Sequence, residues 1–233
     1  MEHAVSVKPY KGLGMEGFVA KWYASMTQKS MEDFKALARR VADRLPAGSR
    51  VLEVAPGPGY FAIELAALGA YNVTGLDISR TFVGLAQRNA ARSGVQVDFR
   101  QGDAASMPFE DQSFDFLFCR AAFKNFSRPV PALEEMHRVL KPGGRALILD
   151  LRKDASHESV AAGIHGMRLG KLNSFITKLT FRYMLLKRAY TKSELEEMVS
   201  YTDFGSIRIK ENPIGLELSM QRDPTTATLS RTA

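Results

Sequence analysis

Residues 55–62 contain the residue types that a nucleotide-binding loop needs. Gly57, Gly59 and Ala62 fit the pattern G-x-G-x-x-G/A, which here follows a strand signal and opens a helix signal, as the motif requires. Glycine has no Cβ atom, so backbone amides at the start of the helix can approach a ligand closely. The loop therefore predicts a nucleotide-type ligand, although a glycine turn without a ligand stays open at this point.

Three carboxylates accompany this loop. Glu53 lies inside the apolar run before the glycines, where a buried carboxyl group is costly unless it meets a cation or hydrogen-bond donors. Asp77 ends the next apolar run, where its two oxygens can accept hydrogen bonds from both ribose hydroxyls. Asp103 ends the third run and adds a further acceptor. Asp77 and Asp103 are thus predicted on the ligand side of a sheet.

A different spacing, Tyr183-x-x-x-Lys187, is the one that short-chain dehydrogenases use. In a chain of this length with seven tyrosines, one such match arises readily by chance. The longer glycine loop of those dehydrogenases is missing, and Tyr183 comes after the fifth strand signal. The dehydrogenase interpretation is therefore set aside.

The elements that must position these residues alternate between strand and helix patterns. Short apolar or β-branched runs predict strands at 50–54, 72–76, 95–100, 114–119 and 146–151. Helical patterns follow the glycine loop, begin again after the potential capping residue Ser79, and recur at 130–140. Strands that alternate with crossover helices predict an α/β fold with a mostly parallel sheet and with ligands at the carboxyl ends of the strands.

Composition indicates a globular protein whose charge is unevenly distributed. The 233 residues are 45% hydrophobic and 24% charged, which supports a buried core and excludes disordered and fibrous classes. The net charge of +7 comes from residues 1–50, with 9 basic and 5 acidic side chains, and residues 151–190, with 8 and 2. Residues 51–150 contain 10 basic and 11 acidic side chains. The excess can attract an anionic substrate or a lipid surface, and nothing typical of nucleic-acid binding accompanies it.

The location of the protein is also predicted from the sequence. No apolar stretch is long enough to span a membrane, and the first residues have no signal-peptide core. The single Cys119 cannot form an internal disulfide. We therefore expect a soluble cytoplasmic protein.

Several motifs in the same order resemble one known family, the class I S-adenosylmethionine-dependent methyltransferases, especially those acting on small molecules and quinones. The residues that carry the resemblance are VLEVAPGPGYFAIELA, GLDIS, FRQGDAASMPF, FDFLFCRAAFKNF and MHRVLKPGG, all within residues 50–151. The resemblance extends more loosely to the segment that begins at Tyr190. It implies S-adenosylmethionine as the cofactor, S-adenosylhomocysteine as the product, and no metal.

The resemblance also implies roles for individual residues. It places Glu53 near the methionine ammonium group, the loop residues along the methionine and ribose, and Asp77 on the ribose hydroxyls. It further implies that Ile78 stacks on adenine and that Asp103 accepts a hydrogen bond from the adenine amino group. The full set of implied cofactor-binding residues is Glu53, Ala55, Gly57, Gly59, Asp77, Ile78, Asp103, Ala104 and Arg120.

The sequence departs from the family at two places. Ala55 stands where the family usually has glycine, which adds one methyl group at a point of close approach. Phe123-Lys124-Asn125-Phe126 stands where many relatives carry a histidine pair, so no catalytic histidine can be transferred. The remaining candidates for a catalytic base are His165, for which an exposed helix position is an alternative, and Tyr23 in the segment that caps the cofactor pocket in the family.

The implied architecture is a Rossmann-like seven-stranded mixed sheet with helices on both faces, an antiparallel last strand and helical lid segments. We expect a single methyltransferase domain over 1–233, comprising an N-terminal helical cap (1–49), a cofactor-binding core (50–151), a helical lid insertion (152–189), a C-terminal helix and β-hairpin (190–220) and a disordered tail (221–233). The last elements are expected as a helix at 192–200 and strands at 206–210 and 214–219.

The lid prediction rests on an amphipathic pattern. From Leu172 onward, apolar positions recur at helical spacing, with basic residues along one flank: Phe175, Ile176, Leu179, Tyr183 and Leu186 beside Lys171, Lys178 and Arg182. Such a helix can pack on the core and the substrate, touch a lipid surface, or attract an anionic substrate.

The expected reaction is methyl transfer to a hydrophobic small molecule by in-line displacement, which needs positioning and desolvation more than acid–base groups. One alternative is a protein that keeps the cofactor without transferring its methyl group, as a regulator or a lyase-type catalyst. Another is an enzyme that methylates a lipid or quinone while in peripheral contact with a membrane. The acceptor atom and the oligomeric state stay open.

Overall fold

A seven-stranded mixed sheet forms the centre of the protein. The computed structural model describes residues 10–11, 14–166 and 185–224. In sheet order the strands are β3 (Asp98–Gln101), β2 (Asn72–Asp77), β1 (Arg50–Val54), β4 (Phe114–Arg120), β5 (Leu140–Leu151), β7 (Gly215–Gln221) and β6 (Ser206–Glu211). Strands β1 to β5 pair in parallel, and β7 is antiparallel to β5 and β6. The predicted mixed sheet with an antiparallel last strand is confirmed.

Helices lie on both faces of this sheet. In chain order they are α1 (Gly17–Thr27), α2 (Met31–Ala42), α3 (Tyr60–Ala66), α4 (Arg80–Arg92), α5 (Pro129–Val139), α6 (His157–Gly166), α7 (Leu186–Arg188) and α8 (Lys192–Ser200), with short 3-10 turns at Gln28–Ser30 and Phe123–Asn125. The predicted cap of α4 is present, because the Ser79 hydroxyl accepts the Phe82 N–H. Within the described residues, no helix is long and apolar enough to cross a membrane.

The central strand β1 is buried because its alternating side chains enter two separate cores. Val51 packs with residues of α2 and α3, including Phe61, whereas Leu52 and Val54 pack in the core that contains Leu133 of α5. A parallel strand covered on both faces has apolar residues on both, in contrast to the alternating pattern of a half-exposed strand.

The register of the sheet brings four strand ends to one edge. Val54 pairs with Leu76 of β2 and with Cys119 of β4, and Arg120 pairs with Leu149 of β5. The residues that follow these positions therefore leave the sheet side by side, at the edge where α/β proteins bind ligands.

The third strand is shorter than predicted and begins at Asp98 instead of Val95. Val95 and Val97 do pack against the core, but the Val95 N–H donates to the Ala90 carbonyl at the end of α4. Gly94, with φ +66°, makes the turn that allows this bond. The apolar pattern thus predicted the partial burial of Val95 correctly, but its backbone N–H bonds to the end of α4 instead of to a neighbouring strand.

The fifth strand is longer than predicted and begins at Leu140 instead of Ala146. Leu140 already pairs with Phe114, and the register shifts before Arg145 pairs with Phe116. Gly143, with φ +77°, lies within the shifted segment. The predicted turn at 142–144 is therefore an irregularity inside the strand.

The predicted disordered tail requires a correction at its first residues. Gln221 ends β7, and the Arg222 guanidinium donates to the carbonyl oxygens of His137, Arg138 and Leu140 at 3.0, 3.1 and 2.8 Å. These carbonyls lie at the end of α5 and lack helical partners, so a guanidinium there is favourable. Residues 221–224 belong to the ordered fold, and 225–233 lie outside the described residues.

Part of the lid prediction falls outside the described residues. The amphipathic pattern from Leu172 to Tyr183 lies outside the described residues, and so does the tyrosine of the Tyr-x-x-x-Lys spacing. The segment predicted as a lid is described at α6 and α7. Leu151, Ala155, Val160, Leu186 and Ile214 form a small apolar cluster there.

Gly59, at the end of the glycine loop, has a backbone that other residues adopt only with strain. Its φ is +80°, and a Cβ atom would lie 2.7 Å from Phe99 Cζ and 2.9 Å from Ala86 Cβ. Gly94 also has a positive φ, +66°, but a Cβ atom there meets nothing within 4 Å. A substitution at Gly59 would therefore combine backbone strain with steric crowding of the added Cβ atom, whereas one at Gly94 would cause backbone strain alone.

We predict that Gly59→Ala lowers the free energy of unfolding by about 2–4 kcal/mol, because it combines left-handed strain with overpacking. The control Gly94→Ala carries only the strain and loses about 1 kcal/mol. Urea unfolding followed by circular dichroism measures both values. Equal losses would show that the contacts with Phe99 and Ala86 do not limit the loop.

Candidate active site

The glycine loop reverses the chain between β1 and α3 with three left-handed residues. Ala55 and Gly57 have φ +57°, and Gly59 has φ +80°. The Ala55 N–H donates to the Leu76 carbonyl at 2.7 Å and so extends the pairing of β1 with β2. Ala55 is the position where the family usually has glycine, and its methyl group costs about 1–2 kcal/mol in this conformation. The conformation is one that glycine adopts without strain.

Asp77, at the end of β2, lies directly beneath this loop. Its Oδ2 accepts the Gly57 N–H and its Oδ1 accepts the Ser79 N–H, both at 2.9 Å. Burial raises the pKa of Asp77 to about 6, against the lowering effect of these backbone donors. The carboxylate therefore links the loop to the start of α4, at the edge where β1 and β2 end.

Glu53 is a carboxyl group buried inside β1. It is 4% exposed, and its Oε2 accepts the Ala62 N–H of α3 at 3.0 Å. Burial raises the pKa of Glu53 to about 8, although Arg120 acts to lower it. Among the described residues no cation pairs with Glu53 within 4 Å, so it is mostly protonated at pH 7. A ligand ammonium group would supply the charge that this site lacks.

Arg120 ends β4 on the other side of the loop. Its guanidinium lies 4.6 Å from the centre of the Phe34 ring of α2, and its charge acts on both Glu53 and Tyr23. In the described part of the chain, Arg120 forms no ion pair with a carboxylate. A guanidinium in this state can bind the carboxylate of a ligand.

Tyr23 is brought to the loop by α1. Its ring packs edge-on against Phe82 at 5.8 Å, and its Cε1 lies 4.0 Å from where a Cβ atom of Gly57 would stand. Burial raises the pKa of the Tyr23 hydroxyl above its usual value. The phenol is therefore un-ionised near neutral pH, which favours a donor over a base.

The residues at the end of β3 complete this side of the site. Asp103 Oδ1 accepts the Ala105 N–H at 2.9 Å, and its Oδ2 pairs with Arg128 at 2.7 Å. Ile78, next to Asp77, is partly exposed, and its carbonyl accepts from Gln101. Asp103, Ala104 and Ile78 thus lie where strands β2 and β3 end.

The other predicted base, His165, lies in α6. Its side chain is outside the described part of the structure, so a catalytic role for His165 stays a prediction.

Sequence reasoning missed a buried ion pair at the ends of β4 and β5. Lys124 Nζ lies 2.8 Å from Asp150 Oδ1, with side-chain exposures of 3% and 8%. Asp150 lies at the carboxyl end of β5, as Asp77 does in β2, so the same signal could have found it. Tyr10, described below, lies in a segment that has no such pattern.

Comparison with known proteins agrees with this geometry. Residues 52–148 match the family model described as methyltransferase domain. The chain is 40% identical over 108 residues to a demethylmenaquinone methyltransferase of Deinococcus radiodurans, covering 46% of this chain and 45% of that protein. It is 36% identical over 105 residues to a ubiquinone/menaquinone biosynthesis C-methyltransferase of Bdellovibrio bacteriovorus, covering 45% of each. The chain thus spans about half the length of these relatives.

Solved structures share the fold. A putative S-adenosyl-L-methionine-dependent methyltransferase from Methanococcus maripaludis matches with a TM-score of 0.73 and 17% identity, over 93% of this chain and 98% of that one. The [4+2]-cyclase SpnF matches with a TM-score of 0.62 and 21% identity, over 82% and 81%. At these identities the likeness concerns the fold alone.

The seven-stranded mixed sheet, the glycine loop and the acidic strand ends are the features that the resemblance to class I methyltransferases implies. The resemblance to the S-adenosylmethionine-dependent members of this class is confirmed, because residues 52–148 match the model of the methyltransferase domain.

The protonated state of Glu53 generates a prediction about proton release. A ligand ammonium group stabilises the ionised carboxylate, so binding of S-adenosylhomocysteine at pH 7 is expected to release close to one proton from a group whose pKa is about 8. Calorimetry in two buffers of different ionisation enthalpy measures this release.

Glu53→Gln is expected to abolish the release and to weaken binding about 10- to 100-fold, the value of a hydrogen bond to a charged group. The exposed Glu110→Gln serves as the matched control and leaves both quantities unchanged. Proton release that persists in Glu53→Gln would assign it to another group.

Proposed function

We propose that this chain transfers a methyl group from S-adenosylmethionine to a hydrophobic small molecule. The observation that carries the proposal is Glu53, a buried carboxyl group next to the loop of Gly57 and Gly59, for which the described part of the chain supplies no cation within 4 Å. A nucleotide that also carries an ammonium group satisfies both features at once.

The described residues fit the parts of this cofactor. Glu53 would hold the ammonium group, and Arg120 would hold the carboxylate beside it. Asp77 would accept from the ribose hydroxyls, because its carboxylate lies at the same strand edge as the loop. Ile78 would cover adenine, while Asp103 and Ala104 would bind its polar edge.

The chain's contribution to the reaction is positioning and exclusion of water. When bound, the cofactor supplies a methyl group on a positively charged sulfur, which leaves as a neutral thioether after displacement. The protein has to hold the acceptor in line with the bond that breaks and to shield both from solvent. A protein base is needed only if the acceptor must lose a proton.

The acceptor side lies at the ends of β4 and β5. The sheet order reverses between β1 and β4, and ligands of such sheets lie across the reversal. With the cofactor at β1, β2 and β3, the acceptor falls next to β4 and β5.

The acceptor class is proposed from the relatives. The names of these relatives refer to quinone precursors, which are hydrophobic ring compounds. The family match covers 52–148, whereas the segments before 50 and after 151 that would cover the acceptor lie outside it. The proposal is therefore a hydrophobic small molecule, with quinone precursors as the first candidates.

We predict that the protein binds S-adenosylmethionine in calorimetry and that Asp77→Asn weakens binding about 10- to 100-fold, because the amide cannot accept from both ribose hydroxyls as a carboxylate does. The matched control is Asp98→Asn, since Asp98 begins β3 at the opposite edge and its carboxylate, among the residues described, pairs only with exposed Arg100. Failure of the wild type to bind would remove the cofactor from the proposal.

Turnover separates methyl transfer from a methyl-inert role. We expect S-adenosylhomocysteine to accumulate when the protein is incubated with S-adenosylmethionine and either lipid-soluble extracts or demethylmenaquinone that has been reduced to its quinol. Glu53→Gln should slow its formation, whereas Glu110→Gln should not. Cofactor binding without product from any extract would favour a regulator or lyase-type catalyst.

A further inference from the structure

A second polar cluster lies at the ends of β4 and β5, on the acceptor side of the proposed site. We call it the acceptor-side cluster, and its members are Tyr10, Lys11, Lys124, Asp150 and Tyr190. None of them belongs to the cofactor-binding set. Their contacts indicate which one is available to a ligand.

Lys124 and Asp150 are fully committed to each other and to the backbone. Asp150 Oδ1 accepts from Lys124 Nζ and from the Leu151 N–H, each at 2.8 Å, and its Oδ2 accepts the Lys124 N–H at 2.9 Å. Lys124 Nζ also donates to the Ala121 carbonyl. Removing one member of such a buried pair leaves an uncompensated charge. The pair therefore anchors the loop after β4 and is unsuited to act as a base.

Tyr10 and Lys11 are attached to the anchored loop. Tyr10 forms an antiparallel bridge with Phe126, and the Lys11 N–H donates to the Asn125 carbonyl at 2.7 Å. Lys11 Nζ donates to the Tyr190 hydroxyl, also at 2.7 Å, and lies 4.9 Å from the centre of its ring. These contacts hold a short N-terminal segment across the ends of β4 and β5.

The Tyr10 hydroxyl is the member of the cluster that remains available. It forms no hydrogen bond with any residue in the described ranges, whereas the hydroxyl of Tyr190 is used by Lys11. Burial raises the pKa of Tyr10 to about 12, with Arg188 opposing and Tyr23, Asp77 and Asp150 adding to the effect. The hydroxyl is thus within electrostatic range of Asp77, on the cofactor side, and of Asp150, on the acceptor side.

We propose that Tyr10 donates a hydrogen bond to an oxygen atom of the methyl acceptor. Tyr10 is then a specificity-determining residue, and the acceptor is a hydrophobic ring that carries an ether, hydroxyl or carbonyl oxygen. This inference rests on the proposed function and adds to it the polar group that the acceptor must bear.

The direction of the hydrogen bond follows from the surroundings of Tyr10. Burial opposes ionisation of the phenol, and two carboxylates add to this effect, so the phenol keeps its proton and can donate. An acceptor oxygen replaces the water that this hydroxyl would otherwise bind. A purely hydrocarbon ring would leave the hydroxyl unpaired, which is the physical basis of discrimination.

The test uses two ligands of nearly equal shape. 1-Methoxynaphthalene offers an ether oxygen that accepts a hydrogen bond, and 1-ethylnaphthalene offers none. Equilibrium dialysis against protein saturated with S-adenosylhomocysteine gives both dissociation constants. In Tyr10→Phe the ratio is expected to shift against the methoxy compound by about threefold to tenfold, the value of one neutral hydrogen bond.

Tyr201→Phe is the matched control, because Tyr201 is 63% exposed and its hydroxyl, within the described ranges, bonds only to Glu197. It should leave the ratio at the wild-type value. Calorimetry with S-adenosylhomocysteine shows whether each variant is folded and loaded.

Each outcome has a separate meaning. A wild type that does not bind S-adenosylhomocysteine contradicts the proposed function itself. Two results would overturn the role of Tyr10 alone, provided that the cofactor binds. One is an unchanged ratio of the two dissociation constants in Tyr10→Phe, and the other is that the wild type binds neither naphthalene. A shift confined to Tyr10→Phe supports it, since a general loss of structure would weaken both ligands equally.

Discussion

The burial of Glu53 in the central strand is the constraint on which the site depends. A carboxyl group in a dry core is costly, and here one backbone N–H of α3 compensates only part of the cost. A cation would offset the remaining cost of burial, and the glycine loop allows a ligand to bring a cation close to Glu53. Burial accordingly raises the pKa of Glu53 to about 8.

The contrast between Glu53 and Asp150 organises the rest of the strand edge. Both carboxyl groups are buried, on strands β1 and β5 that flank β4, but Asp150 has Lys124 and two backbone donors, whereas Glu53 has one donor among the described residues. Burial with a partner makes Asp150 a structural anchor, whereas Glu53, for which the described residues supply no cation, is the carboxyl group that we propose for the ligand. Asp77 is intermediate, since backbone donors satisfy its carboxylate and its pKa is about 6.

The fold explains where ligands lie without deciding which reaction occurs. A putative methyltransferase and a cyclase both superimpose on this chain, so the sheet serves as a common scaffold. Selectivity has to come from what surrounds the acceptor. In this chain those groups come from the segment at Tyr10, from the loop after β4 and from Tyr190, elements far apart in sequence that meet only at the strand ends.

The sequence by itself determined the alternation of strands and helices along the chain, the glycine loop, and the acidic residues Glu53, Asp77 and Asp103. These features depend on local periodicity and on spacing within one motif. It misjudged the start of β3, where Val95 is buried but closes a helix, and it assigned Arg222 to a tail although α5 binds it. Only the tertiary structure decided that Lys124 meets Asp150 and that Tyr10 reaches the same edge. Such contacts join residues 26 or more positions apart, and side-chain partners at that separation follow from sheet register and loop docking, which no local pattern encodes.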